Sequence, residues 1–312
     1  MQRMGTVCEM GKCTGCMACH DICPKQAIEM KKQITIYQAE IDEKKCINCH
    51  KCKLVCQICN PVETKRPFIW YQGWANDNRV RLNSSSGGLA SALSMNFIEE
   101  NGVVCSCVFK NGIFGFEIFD NEQEVEKARG SKYVKSTMEG VYRIVRERLV
   151  EGKKVLFIGL PCQVAAIKRY IGAKLWEKLY TVDLICHGTP APMILESFLD
   201  QYGYDLQMIE NLSFRMKDQY GLKLRCKDIA VPRIRDAYTI AFLNGVSYTE
   251  NCYSCMYAKL ERNGDITLGD SWDSEFPREE KKKGISLILC QTEKGMEMLF
   301  RAFPCLSRFD KE

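Results

Sequence analysis

Short apolar runs alternate with stretches of helical spacing through most of the chain after residue 76. Residues 154–158 and 180–185 have the length and apolar composition of strands that are buried on both faces of a parallel sheet. Apolar positions recur at helical spacing in several segments, namely 89–100, 138–151, 163–170 and 191–202. Strands and helices that alternate in this way predict a mixed-sheet α/β domain over residues 76–312.

The first 60 residues follow a different pattern, which is set by cysteines rather than by apolar periodicity. Two runs share one spacing, with gaps of two, two and three residues between successive cysteines. In ferredoxins with two clusters, three cysteines of such a run bind one four-iron cluster and the fourth binds the other. We therefore assign one 4Fe-4S cluster to Cys13, Cys16, Cys19 and Cys56, and a second to Cys46, Cys49, Cys52 and Cys23.

Zinc is the alternative for this spacing, because zinc sites also use Cys-x2-Cys pairs. Zinc sites take their ligands as two separated pairs, whereas here each run holds four cysteines and the run is repeated. We predict a small ferredoxin-like dicluster domain of α+β type at residues 1–60, with a strand of its hairpin at residues 34–37. Residues 61–75 contain two prolines and are predicted to be a linker.

Two of the predicted buried strands each lead to a cysteine. Cys162 follows the first strand across a short turn, and Cys186 directly follows the second. Because parallel strands end at one edge of a sheet, both thiols are expected at that edge. Cys252 and Cys255 supply half of a four-thiolate site, so we predict that all four bind a third cluster. His187 is the candidate catalytic residue, as a proton donor or hydrogen-bond partner, although a core histidine is an equal alternative.

Seven further cysteines are not assigned to a metal. Cys8 and Cys59 fall outside both N-terminal runs and are interpreted as spare thiols. The others are predicted to pack as small apolar residues: Cys105, Cys107, Cys226, Cys290 and Cys305.

Composition and charge narrow the function classes. Of the 312 residues, 46% are hydrophobic and 27% are charged, which is typical of a globular protein. The first residues are not apolar and no stretch reaches the ~18 to 20 apolar residues of a membrane span, so we expect a cytoplasmic protein. The formal net charge is +5, but three clusters with their thiolates would contribute roughly −6. The sum of about −1 gives no reason to predict nucleic-acid binding.

Two loops have compositions that suit phosphates or a flavin. The first, Ser85, Ser86, Gly87 and Gly88, precedes a predicted helix, where free backbone N–H groups attract phosphate. A serine N-cap with flexible glycines explains this loop equally well. The second loop combines a cation, a hydroxyl and an aromatic ring in Arg129, Gly130, Ser131, Lys132 and Tyr133. An ordinary helix stop is the alternative for the second loop.

Together these motifs resemble those of the coenzyme F420 hydrogenase/dehydrogenase (beta subunit) family, with a dicluster ferredoxin domain fused ahead of the catalytic domain. The matching pieces span most of the chain: residues 85–88, 129–133, 159–163, 183–188, the Cys252-x2-Cys255 pair and residues 264–270. The resemblance implies a four-iron cluster on Cys162, Cys186, Cys252 and Cys255. It also implies FAD bound by the two loops and by a third segment, in which we assign Arg262, Asp265, Thr267, Gly269, Asp270 and Trp272. One departure is Asp273, where the family pattern leads us to expect glycine.

We therefore predict an FAD-dependent iron-sulfur oxidoreductase. Electrons from ferredoxin or another redox protein enter at the N-terminal domain and collect on FAD, which exchanges a hydride with a small organic substrate or with the deazaflavin coenzyme F420. The flow can also run in reverse. The alternatives are a non-catalytic polyferredoxin-type subunit and a zinc-stabilised interaction protein. We expect a homo-oligomer or a subunit of a redox complex.

Overall fold

The computed structural model describes residues 5–230, 234–302 and 310–311. The N-terminal segment contains β1 (Gly5–Thr6), α1 (Ala18–Ile22), β2 (Ile28–Lys32), β3 (Tyr37–Ile41) and α2 (Lys51–Val55). Its three strands form an antiparallel sheet in the order β1-β3-β2. Both helices begin after a residue in the left-handed conformation, Met17 with φ 65° and His50 with φ 56°. These residues hold equivalent positions in the two cysteine runs, so both runs fold as copies of one turn.

The predicted hairpin is present, but the predicted strand at residues 34–37 is displaced. Residues 33–36 form the turn between β2 and β3, in which the Gln33 N–H donates to the Ile36 carbonyl at 2.9 Å. The Thr35 carbonyl accepts a hydrogen bond from the Glu250 N–H at 2.7 Å. This contact with the second domain satisfies a turn carbonyl, and the alternating sequence therefore adopts a turn here.

Eight strands of the described second domain form one mixed sheet: β4 (Ile69–Gly73), β5 (Val103–Lys110), β6 (Ile113–Phe119), β7 (Val155–Gly159), β8 (Leu179–Leu184), β12 (Ile266–Asp270), β13 (Ser286–Cys290) and β14 (Asp310–Lys311). Their order is β14-β4-β13-β12-β8-β7-β5-β6. Strand β4 lies within residues 61–75, which the sequence predicted to be a linker, so the main sheet begins inside that segment and not at residue 76. The central neighbours β5, β7, β8 and β12 run parallel, and the outer pairs are antiparallel. Every residue of β7 is buried, as expected for a parallel strand covered on both faces.

Helices cover both faces of this sheet. One core lies beneath α4 (Leu89–Glu99) and α12 (Glu293–Arg301), and the other beneath α6 (Val141–Val150) and α7 (Pro161–Ile171). Ala18 of the N-terminal domain belongs to the second core, so the two domains share apolar packing. The remaining helical segments are α3 (Asn78–Leu82), α5 (Glu122–Ala128), α8 (Pro192–Asp200), α9 (Ala237–Leu243), α10 (Glu250–Tyr253) and α11 (Arg278–Lys283), with 3-10 turns at Ala173–Leu175 and Leu206–Met208.

A second small sheet consists of β9 (Leu212–Met216), β10 (Gln219–Leu224) and β11 (Lys227–Asp228). It packs on α8 and α9 around Phe214 and Tyr238. The predicted fold class, a small α+β domain fused to a mixed-sheet α/β domain, is confirmed. Across the described ranges, no helix has the length and apolar character needed to cross a membrane.

Candidate metal centres and cofactor cavity

The first candidate metal centre is a small cavity inside the N-terminal domain, with a volume of about 10 Å³. The four thiols that the sequence assigns to one cluster all line it: Cys13, Cys16, Cys19 and Cys56. Cys8, which we interpreted as a spare thiol, lines the same cavity. Its hydrogen bonds lower the pKa of Cys13 and the pKa of Cys56. Five thiols therefore surround one space.

The second thiol set lies nearer the surface. Burial raises the pKa of Cys52, and the charges of Cys23, Cys46 and Cys49 raise it further. The four predicted ligands therefore lie in one neighbourhood. Cys49 is exposed and the other three are half-buried. This set is therefore the one more open to solvent.

The arrangement of the thiols bears on the choice between zinc and a cluster. Within the part of the chain that the structure describes, no group of three or more His, Cys, Asp or Glu side chains is placed to hold a single metal ion. A zinc site needs four sulfurs at about 2.3 Å from one point. The thiols of the first set line one common space, as thiolates around a polynuclear cluster do. This arrangement fits an iron-sulfur cluster.

The third thiol set gathers four cysteines from three distant segments. Burial raises the pKa of Cys162, the Lys135 ammonium opposes this, and the charges of Cys186, Cys255 and Cys252 raise it further. These interactions place the four cysteines in one neighbourhood. Cys162 is the second residue of α7, and Cys186 follows β8 by two residues. Both are therefore positioned by the turns that follow parallel strands at one edge of the sheet.

One sulfur of this set also lies within hydrogen-bond distance of three polar side chains. The Asn251 side-chain amide donates to Cys252 Sγ at 3.6 Å. The hydroxyls of Thr249 and Thr189 lie 3.6 Å and 3.9 Å from the same sulfur. Hydrogen bonds to sulfur tune the potential of a cluster, so this surrounding is suited to a redox centre.

A cavity of about 400 Å³ opens beside the third set. Cys186 belongs to that set and also lines the cavity. Most of the residues assigned to FAD from the sequence line it too, and they are Ser85, Ser86, Gly88, Arg129, Gly130, Ser131, Lys132, Tyr133, Gly269, Asp270 and Trp272. The two loops are joined directly, since the Ser131 N–H donates to Ser85 Oγ at 2.9 Å. His187 lines the cavity next to Cys186.

Four residues assigned to FAD have other surroundings in the structure. Gly87 packs against the backbone of β4 and β13, where an added Cβ would lie 2.6 Å from the Gly73 carbonyl oxygen. Arg262 is paired with buried Asp183 at 2.9 Å. Asp265 accepts hydrogen bonds from the Thr181 N–H and hydroxyl at 2.8 Å and 2.7 Å.

Thr267 is fully buried within β12, and its hydroxyl has no hydrogen-bond partner among the described residues. Gly87, Arg262, Asp265 and Thr267 are thus absent from the lining of the cavity.

The structure adds cavity residues that the sequence patterns did not reveal. Arg215 of β9 forms a bidentate ion pair with Asp270, at 2.6 Å and 3.1 Å. Phe242 of α9 stacks on Tyr133 with ring centroids 4.3 Å apart, and the ring of Tyr220 lies 5.9 Å from Tyr133 on a stacked geometry. These residues come from 212–242, a stretch without a recognisable motif. The sequence signal for Arg215 was its position as a charged residue within a partly apolar strand.

The remaining cysteines have varied surroundings. Cys105 and Cys290 are fully buried in the two sheet cores, in agreement with packing roles. Cys107 lines the 400 Å³ cavity, and Cys226 is exposed. Cys305 lies outside the described residues.

Comparison with known proteins identifies the family. Residues 12–58 match the description "4Fe-4S dicluster domain". Residues 70–143 and 152–304 match "Coenzyme F420 hydrogenase/dehydrogenase, beta subunit" N-term and C terminus, respectively. The chain is 22% identical over 297 residues to a subunit of the F(420)H(2) dehydrogenase of Methanosarcina mazei, covering 89% of this chain and 82% of that protein.

A chain in a solved structure of the F420-reducing NiFe hydrogenase complex from Methanosarcina barkeri has a similar fold. The TM-score is 0.56 at 19% identity, over 80% of this chain and 83% of that chain. The predicted resemblance is therefore confirmed, and so is the dicluster character of the N-terminal domain. The chain belongs to the coenzyme F420 hydrogenase/dehydrogenase (beta subunit) family and carries a 4Fe-4S dicluster domain ahead of the two family segments.

Proposed function

We propose that the protein is an iron-sulfur flavoprotein oxidoreductase that moves electrons between its clusters and FAD. One observation carries the proposal: Cys186 is shared by the third thiol set and the 400 Å³ cavity. A cluster on that set and a cofactor in that cavity would be neighbours. When bound, FAD converts between single electrons and the two-electron exchange, as hydride, that an organic substrate or a deazaflavin needs.

Free donors in the cavity support the choice of FAD. Arg129 lines the cavity, and its buried Nε has no hydrogen-bond partner in the described ranges. Helix α4 starts at the cavity with Gly88 as its N-cap and without a side-chain cap. A diphosphate can accept hydrogen bonds from both, because a helix N-terminus and a guanidinium both attract anions. Tyr133 and Phe242 would offer aromatic surface to a planar ring.

Other residues of the cavity are proposed to serve the chemistry. His187 lies at the Cys186 end, and its ring is 6.2 Å from that of Phe242. We assign it the role of holding or donating a proton, since the ring nitrogens of an imidazole can accept or donate one. The Arg215–Asp270 pair fixes the carboxylate at the end of β12 and places a positive charge at the cavity wall.

Electrons are proposed to pass from the second thiol set, by way of the first, to the third. Electrons would enter at the second set, where Cys49 is exposed, from ferredoxin or another redox protein. The first set is buried and lies near the third. Tyr257 reports this proximity, because burial raises its pKa and the charges of Cys162, Cys16, Cys255 and Cys56 raise it further. The acceptor beyond FAD would be a small organic molecule or the deazaflavin coenzyme F420.

The second candidate is a non-catalytic electron-transfer subunit of a larger redox complex. It is favoured by the names of the two relatives, since one is a subunit of a dehydrogenase and the other belongs to a hydrogenase complex. A homo-oligomer would be the simplest assembly for the catalytic alternative. In either case we place the protein in the cytoplasm, where thiols stay reduced and available to metals.

Anaerobic purification with quantification of iron, sulfide and flavin tests the proposal. We expect about twelve irons and twelve sulfides per chain, from three four-iron clusters, together with FAD. Cys186→Ser should lose about a third of the iron, whereas Cys226→Ser, at an exposed cysteine, should lose none. Full iron without FAD would favour the non-catalytic subunit. Zinc without acid-labile sulfide would overturn both candidate functions.

Activity is then measured with the purified holoprotein. Reduced coenzyme F420 should bleach the flavin absorbance and then the cluster absorbance, if the deazaflavin is the substrate. Reduction by dithionite but not by reduced F420 would point to another organic substrate.

A further inference from the structure

The two cysteine runs of the N-terminal domain present one and the same face of their turn in two different environments. This face consists of the residues one, four, five and eight positions after the first cysteine of a run. The first-run face is Thr14, Met17, Ala18 and Asp21, and the second-run face is Ile47, His50, Lys51 and Leu54. Because both helices begin after the equivalent left-handed residue, the two faces have equivalent places on their turns.

The first-run face is the interface between the N-terminal domain and the second domain. All four of its residues are buried. Ala18 has no exposed surface and belongs to the core beneath α6 and α7. Asp21 Oδ2 accepts a hydrogen bond from the Gly140 N–H at 2.8 Å, and the Thr14 carbonyl accepts one from Lys135 Nζ at 3.2 Å. This face of the turn is therefore suited to contact another protein surface.

The second-run face is exposed at all four positions. The exposed fractions of Ile47 and Leu54 are 56% and 64%, and neither side chain takes part in an apolar core of the described residues. The opposite side of α2 is buried, since Val55 packs in the core beneath α6 and α7. Exposed apolar surface with a polar surround often marks a protein contact site.

The surroundings of the second-run face are basic. Residues 44–62 contain four lysines and no aspartate or glutamate. Lys45 pairs with Asp42 at 3.6 Å, and the other three form no ion pair among the described residues. These three are Lys44, Lys51 and Lys53. Their charges exceed the roughly −2 of an oxidised four-iron cluster with its thiolates. A complementary partner therefore carries carboxylates, whereas a second copy of the same face would bring lysines against lysines.

The second-run face also lies beside the second thiol set. Cys49 directly precedes His50 and is exposed. The Asn48 N–H donates to Cys46 Sγ at 3.4 Å, within the loop that carries Ile47. A protein seated on this face would bring its own redox centre close to the ligands of the second cluster.

We propose that the second-run face is the docking site of a small acidic redox protein, which delivers single electrons to the cluster on Cys46, Cys49, Cys52 and Cys23. The proposal rests on the proposed function, because it requires that cluster. In each event the redox centre of the partner loses one electron and the cluster gains it, and no bond or proton is transferred. The complex should be small and short-lived, as electron-transfer complexes are.

Association of the anaerobic holoprotein with a reduced acidic plant-type ferredoxin tests the inference. The two readouts are the dissociation constant and the rate at which the clusters are reduced after rapid mixing. The Debye length falls from about 30 Å at 0.01 M ionic strength to about 3 Å at 1 M. Binding and rate should therefore both weaken at least about tenfold over this range. The dissociation constant does not depend on FAD, so this readout is independent of the flavin.

Charge reversal on the face is the first variant. Lys51→Glu combined with Lys53→Glu should weaken binding at 0.01 M ionic strength at least about tenfold and flatten its dependence on salt. The matched control is Lys153→Glu combined with Lys154→Glu, which makes the same change of charge at two exposed lysines after α6. The control should leave the dissociation constant and the rate within about twofold of wild type.

The second variant tests the apolar part of the face. Leu54→Ser should weaken binding about fivefold at every ionic strength, because buried apolar area is not screened by salt. All variants are compared at full iron content, and dithionite should reduce their clusters to the same extent as in wild type.

Three results would overturn the inference. The first is wild-type binding that does not respond to salt, and the second is unchanged binding and rate in the Lys51 and Lys53 double variant. The third is a wild-type dimer that Leu54→Ser dissociates, since a second copy would then be the occupant of the face. Zinc, or fewer than about eight irons per wild-type chain, would instead overturn the proposed clusters, and this is measured before any variant is made.

Discussion

Asp183 and Arg262 form a buried ion pair whose loss should open the third thiol set. Arg262 donates from Nε and Nη2 to Asp183 Oδ1 at 3.1 Å and 2.9 Å, and the Gly264 N–H donates to Oδ2 at 3.0 Å. The Asp183 side chain has no exposed surface, and that of Arg262 is 8% exposed. The pair joins the strand that leads to Cys186 with the segment that follows Cys255. It therefore ties together two of the three segments that supply the thiols.

The expected cost follows from burial. Asp183→Asn removes the only carboxylate paired with Arg262 in the described residues and leaves its guanidinium buried. Breaking a buried pair on one side costs about 3–5 kcal/mol, because the remaining charge is uncompensated. That is a large share of the roughly 5–15 kcal/mol by which a domain is stable. We expect the variant to unfold at markedly lower urea and to lose about four irons per chain while the N-terminal eight remain.

The measurement combines anaerobic urea unfolding with iron and sulfide analysis of the folded fraction. The control is Glu261→Gln, which removes the carboxylate that faces Arg66 at 2.8 Å on the surface. It should leave stability and iron content nearly unchanged, because exposed pairs contribute little. Asp183→Asn combined with Arg262→Gln should be less damaging than the sum of the two single changes. Wild-type iron and wild-type stability in Asp183→Asn would show that the pair does not hold the site together.

Three further predictions concern the cavity loop and the domain interface. Gly87→Ala forces a Cβ into strand backbone, so it should lower the free energy of unfolding by about 1–3 kcal/mol and weaken FAD retention. The control is Gly115→Ala, whose Cβ would have its nearest neighbours at 3.8 Å and should change neither quantity. Tyr142→Phe removes a 2.6 Å hydrogen bond to the Cys16 carbonyl and should lower the free energy of unfolding by about 1–3 kcal/mol; an unchanged urea midpoint would contradict this. Burial, followed by two neighbouring arginines, lowers the pKa of Lys217 to about 8 from 10.5. Between these pH values the unfolded chain binds more protons, so the free energy of unfolding should rise with pH, and Lys217→Met should remove that part of the rise. A difference between wild type and variant that is the same at pH 8 and pH 10 would refute it.

The cysteine runs could be interpreted from sequence because their geometry is local. Three ligands separated by two residues fit one turn of backbone, and the turn repeats at Met17 and His50. The strand-end thiols were predictable for a different reason. A wholly apolar strand implies a buried parallel neighbour, and parallel strands bring their carboxyl ends to one edge. Cys162 and Cys186 followed from that rule without any contact being known.

The third FAD segment shows a limit of prediction from sequence motifs. Residues 264–270 form one motif in the sequence, yet β12 occupies residues 266–270 and spans about 16 Å. Asp265 lies before one end and contacts Thr181, whereas Asp270 lies at the other end and lines the cavity. A linear motif does not say which end of its strand faces the ligand. Arg215 and Phe242 were missed because their places depend on how the small sheet and α9 pack over the main sheet.

Helix α7 explains how the separate parts are held in register. Its first turn carries Cys162 and also Gln163, which lines the cavity and whose side-chain amide donates to Ser136 Oγ at 2.9 Å. Near its other end, Arg169 donates to the Pro61 carbonyl in the linker at 2.9 Å. An eleven-residue helix is a rigid rod of about 16 Å. Helix α7 therefore connects the linker directly to a candidate cluster ligand and to the cavity wall, and it holds the two at a fixed spacing.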